Sequence, residues 1–256
     1  MNAQQISFNR NHRLKKGVFL KIKTAFILTS FVVSFLFPSD QIDRLMSDAQ
    51  SDYKKGNFDD SVSNLLKCIA IDSKYSRPYL NLAVVYRAQD KLGLASGVLK
   101  TYTSLEQNDP NGFGLYSSVL FESGKTNESF LKLSNALKLS KFKDVEILKT
   151  ASFLFLKVGS LTNSLEMNDL ALAVARNNSD ERYRNFQLRS VIDSRIGIFR
   201  EIDDCERVVS ETIKLFKEVS LNPTDRVVYS NIILNYLWPN YIATSIDCSV
   251  VSSKIS

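Results

Sequence analysis

One histidine serves the whole chain of 256 residues, and it is His12, in a basic stretch near the start. The commonest general base and metal ligand is therefore missing from the rest of the sequence. The three cysteines, Cys68, Cys205 and Cys248, stand far apart. No paired spacing suits zinc or a redox dithiol, and they leave the compartment open. No GxxxxGK[ST] or GxGxxG phosphate loop occurs; the one close glycine pair, Gly112 and Gly114, opens an expected helix instead of following a strand. Acidic pairs such as Asp59–Asp60 and Asp203–Asp204 fall on expected solvent faces or turns. Neither catalytic nor metal-binding nor cofactor-binding residues are assigned.

Acid is absent from residues 1–39, which hold Arg10, Arg13, Lys15, Lys16, Lys21 and Lys23. The formal charge of +6 comes entirely from this end, because the other 27 basic residues meet 27 acidic ones. A neutral body lacks the cation excess that phosphate neutralisation requires, so nucleic acid is not expected as a partner. Hydrophobic residues make up 44% and charged residues 23%, a globular balance that excludes a disordered chain.

Residues 1–23 form the basic leader, and residues 24–39 carry no charge, with Phe26, Ile27, Leu28, Phe31, Val32, Val33, Phe35, Leu36 and Phe37 among them. Sixteen helical residues span roughly 24 Å, short of the roughly 30 Å hydrocarbon core. A cleaved signal, a short anchor and an extra core helix all remain open. The absence of a small-x-small site and the acids Asp40, Asp43 and Asp48 that follow favour an anchor with the repeats on the non-cytoplasmic side; the alternative is a cytoplasmic protein.

The body repeats every 34 residues. Frames at 42–75, 76–109 and 110–143 are followed, after one inserted residue, by 145–178. Their eighth positions are Ala49, Ala83, Ser117 and Ser152, and their twentieth Ser61, Ala95, Ser129 and Ser164. Small side chains at fixed points let two antiparallel helices approach closely. Larger residues fill the space around them at Leu65, Leu99 and Leu133, with Asn168 the exception. Gly56, Gly124 and Gly159 fall at the fifteenth position, where a tight turn needs positive φ, and Asp90 takes that place in the second frame. Each unit reads as helix, turn, helix.

Tyr53-Lys-Lys-Gly56-Asn-Phe58, Tyr79-Leu-Asn-Leu82-Ala83-Val-Val-Tyr86 and Asn135-Ala136-Leu137-Lys-Leu139 resemble the tetratricopeptide repeat family over residues 42–178. Tyr102 departs from the pattern, as do serines where the family prefers alanine. The resemblance implies an all-α solenoid of helical hairpins, a right-handed superhelix whose concave groove is lined by the first helix of each repeat. Groove residues carried over are Met46, Gln50, Tyr53, Lys54, Leu80, Asn81, Val84, Arg87, Ser118, Phe121, Glu122, Lys149, Phe153, Leu156 and Lys157. Tyr53, Phe121 and Phe153 could equally belong to the core.

The chaperone-type carboxylate clamp matches only at Asn81 among Met46, Gln50, Asn81, Asn111 and Leu115; the glycosyltransferase-type asparagine ladder reads Ser47, Asn81, Leu115 and Thr150 and is absent. Residues 179–238 read as a degenerate hairpin, Glu181–Phe199 and Arg200–Val219, with a closing helix after Asn222-Pro223-Thr224-Asp225; residues 239–256 are a polar tail. Asn127-Glu-Ser129 and Asn177-Asn-Ser179 fit the glycosylation acceptor pattern.

A non-enzymatic, membrane-tethered adaptor that binds another polypeptide is the expected function, with no small-molecule substrate and possible membrane contact through residues 24–39. The alternatives are the targeting region of a repeat-containing glycosyltransferase, suggested faintly by Tyr229–Tyr236, and a self-associating assembly module.

Overall fold

A computed structural model describes residues 38–219. The basic leader, most of the apolar segment, the closing helix, Tyr229–Tyr236 and the polar tail lie outside the described residues. Every regular element among those described is an α-helix: α1 Pro38–Lys55, α2 Phe58–Ile71, α3 Arg77–Ala88, α4 Leu92–Leu105, α5 Pro110–Glu122, α6 Thr126–Leu139, α7 Val145–Lys157, α8 Leu161–Arg176, α9 Glu181–Glu201 and α10 Cys205–Glu218.

Local chemistry explains where these helices begin. Asp109, Asp144 and Asp180 precede α5, α7 and α9; the first two carboxylates each accept from two backbone N–H groups of the first turn, and Asp180 accepts from that of Tyr183. Pro110 opens α5, and Pro78 lies in the first turn of α3, where no intrahelical N–H bond is required. The turns inside the hairpins are left-handed, with φ of 80°, 76° and 78° at Gly56, Gly124 and Gly159. Asp90 adopts the same region at 57°.

The chain divides into two compact units, one ending at Lys91 and the other starting at Leu92. In the first, α2 packs on both α1 and α3. Its core includes Ile42, Ala49, Leu65, Cys68, Leu82 and Val85. In the second, each of α5, α7 and α9 packs on the helix before it and the helix after it, while α5 with α7 and α7 with α9 also touch. Leu133, Leu148, Leu154, Val191, Ile192 and Phe199 anchor a continuous core there.

The serines at the close-approach positions are bonded across their hairpins. Ser61 Oγ donates to the Ala49 carbonyl, Ser129 Oγ to the Ser117 carbonyl and Ser152 Oγ to the Ser164 carbonyl, each at 2.8 Å. Hydroxyl pairs Ser117–Ser129 and Ser152–Ser164 lie 3.1 Å apart. Serine thus keeps the small volume and adds a satisfied polar clasp.

Tyr102 has its own compensation. Its ring lies where a Cβ on Gly112 would sit, 2.3 Å from Tyr102 Cε1, and its hydroxyl donates to Asp109 Oδ2 at 2.6 Å. Gly112 therefore makes room for a tyrosine and is no ligand loop.

One boundary corrects the sequence reading. Helix α9 continues through Arg200 and Glu201, and the chain breaks at Asp203, with φ of 53°. The expected break after Phe199 is wrong because Ile198 and Phe199 are both buried on α9 and the reversal uses aspartate where glycine would have marked it.

Candidate binding groove

Within the first unit, α1, α2 and α3 enclose a groove of about 510 Å3. Ala49, Ser61, Leu65 and Val85 form its buried floor. Met46, Gln50 and Tyr53 line one side from α1, and Asn81 and Val84 the other from α3. Ser47 and Arg77 complete the lining. The α1 residues recur at three- and four-residue steps, as do Arg77, Asn81 and Val84, so one face of each helix points inward. Tyr53 is 37% exposed and rests against Phe58, with ring centroids 5.7 Å apart.

The polar lining has a definite sense. No carboxylate lies in it. Asp52 is occupied elsewhere, accepting from Asn64 Nδ2 at 3.1 Å, and Asp59 from Gln89 Nε2 at 2.9 Å. Gln50, Arg77 and Asn81 are exposed. A guanidinium and two amides therefore face an apolar floor.

Of the other residues carried over from the repeat pattern, Lys54, Leu80 and Arg87 belong to the first unit but not to this lining. In the second unit, Phe121 packs on the core. Phe153 is 49% exposed with Lys157 Nζ 5.7 Å above its ring. Lys157 pairs with Glu201 at 2.6 Å; Lys149 pairs with Glu146 at 3.0 Å and donates to Ser190. Ser118 bonds back to the Gly114 carbonyl at 3.3 Å; Leu156 is half-buried and Glu122 exposed. Lys149 and Lys157 are thus tied to groups on α7 and α9.

Arg77 was not among the carried-over positions. Its signal was its place one turn ahead of Asn81, on the same face of α3.

Among the described residues, no group of three His, Cys, Asp or Glu side chains could hold a metal ion. Burial pushes the Cys68 thiol above its ordinary range, which leaves it a small core residue and not a reactive thiolate. Of the two glycosylation patterns, Asn127-Glu-Ser129 lies in α6 with Ser129 buried and bonded; Asn177-Asn-Ser179 lies in an exposed turn.

No family model matches the chain, and no curated protein matches it. Solved structures do. Pseudomonas aeruginosa pilF is similar at 13% identity and a TM-score of 0.58, over 85% of this chain and 99% of that one. A thermophilic TPR protein of Thermus thermophilus is similar at 12% identity and 0.57, over 75% and 99%. MamA follows at 16% and 0.51, over 72% and 99%. At such identities the likeness carries the fold. The chain has the fold of the tetratricopeptide-repeat proteins.

Proposed function

We propose that the chain is a non-enzymatic adaptor that holds a segment of another polypeptide in the groove of its first unit. The supporting observation is the joining of an apolar floor to amides on both walls, Gln50 on α1 and Asn81 on α3. A primary amide can donate to a backbone carbonyl and accept from a backbone N–H, so the two walls can satisfy an extended chain while its side chains bury against Met46, Tyr53 and Val84.

Tethering to a membrane belongs to the same proposal and rests on the uncharged residues 24–39 and the basic leader before them. Among the described residues no helix is long and apolar enough to cross a membrane.

Site-specific crosslinking tests the groove. With a photoreactive amino acid in place of Val84, irradiation of cells making the full chain is expected to give discrete protein adducts. The same residue in place of Leu131, exposed on α6, is expected to give none. Equal adducts from both positions would remove the groove as the binding site.

A further inference from the structure

We infer that the segment held in this groove carries a side-chain carboxylate close to an aliphatic or aromatic residue. This rests on the groove reading above and names the chemistry of its occupant.

The electrostatic lining carries the argument. Arg77 contributes a fixed positive charge, and no Asp or Glu lines the groove to neutralise it. Among the described residues Arg77 makes no ion pair, hydrogen bond or ring contact; the unpaired guanidinium is available to a ligand. Guanidinium recognises carboxylate with two parallel hydrogen bonds, and the charge-assisted pair is about twice as strong as a neutral one. A basic segment meets a like charge here with no compensating acid, which costs affinity.

Apolar and cationic parts of the lining are adjacent, which sets the spacing of the ligand groups. Arg77 and Val84 lie on one face of α3, separated by seven residues or roughly 10 Å along the axis. An extended peptide spans that distance in about three residues. The carboxylate is assigned to a side chain and not to a chain terminus. A terminus would be held by several converging cations, whereas this lining has one, with amides beyond it suited to a backbone that continues through.

Selection from a random library of nine-residue peptides, amidated at the C-terminus and displayed on beads, tests this with the full chain as bait. The wild-type chain is expected to enrich Asp or Glu within about three residues of Leu, Ile, Met or Phe. Arg77→Gln is expected to weaken the enriched peptides roughly tenfold and to erase their advantage over Asn and Gln counterparts. Val84→Gln is expected to weaken acidic and neutral peptides alike. Far-ultraviolet dichroism of both variants checks that the helices persist, as both side chains are exposed.

Enriched peptides without acid, an acid preference that survives Arg77→Gln, or binding only with a free C-terminal carboxylate would each overturn the inference. Neutral peptides whose binding still depends on Val84 would leave the groove reading standing while this inference falls. Binding indifferent to both substitutions, or no enrichment at all, would overturn both.

Discussion

Asn168 occupies the position held by Leu65, Leu99 and Leu133 in the other frames, and it is fully buried. Its Nδ2 reaches the Val191 carbonyl at 3.5 Å, but its Oδ1 has no partner. A buried acceptor left unpaired costs about 1–3 kcal/mol. Asn168→Leu is therefore expected to stabilise the protein by roughly 1 kcal/mol or more, read as a higher urea midpoint at unchanged slope. A lower midpoint would show that the amide has a needed role. Ser129→Ala removes a buried bond and is expected to cost about 1 kcal/mol. Tyr102 adds a pH signature, since burial first and then its bond to Asp109 raise its hydroxyl pKa well above the usual value. The unfolded chain releases this proton near pH 10 while the folded one keeps it, so its contribution is present below that pH and is lost as pH rises further. Tyr102→Phe is expected to flatten the decline in stability that sets in above about pH 10, read from urea midpoints over that range. The small residues at close-approach positions were legible because size alone marks them. The Tyr102–Gly112 fit was not, because nothing in a single sequence says that residues ten apart share space.

Turns between helices show what periodicity can and cannot mark. Gly56, Gly124 and Gly159 all take φ near 80°, and their equal spacing announced them. A β-branched side chain in this region is strained, so Gly124→Val is expected to lower stability by roughly 1–2 kcal/mol in urea unfolding. No loss would mean the turn relaxes to another conformation. Asp90 and Asp203 do the same work without a glycine. At Asp90 the register of the frame still located the turn. At Asp203 no frame was available, and the apolar spacing that placed α9 and α10 defines a face and not an end. That is why the break fell at Arg200 in the sequence reading and lies at Asp203 in the structure.

At the scale of the whole chain, the groove positions came from the repeat pattern, which names the first helix of each hairpin as the lining. Met46, Gln50, Tyr53, Asn81 and Val84 share one groove, whereas Lys149 and Lys157 are tied by pairs that a single sequence does not disclose. The N-terminal region sets a separate expectation. Its nine large apolar residues together favour a bilayer by about 3–5 kcal/mol on the biological insertion scale. The full chain is expected to stay in the membrane pellet through a high-salt wash, and a chain lacking residues 1–37 to remain in the supernatant. Release of the full chain by salt would leave electrostatic attachment alone.

Binding in the groove of the first unit is tested most directly by comparing two apolar removals against the polypeptide captured at position 84. Val84→Gln removes an apolar side chain from the wall of the groove, and Leu66→Gln removes a somewhat more exposed one on α2 outside its lining. The measurement is the dissociation constant of each full-length variant for that polypeptide. The expected result is a loss of about tenfold or more for Val84→Gln and an unchanged constant for Leu66→Gln. Equal constants for both variants and the wild type would contradict the assignment.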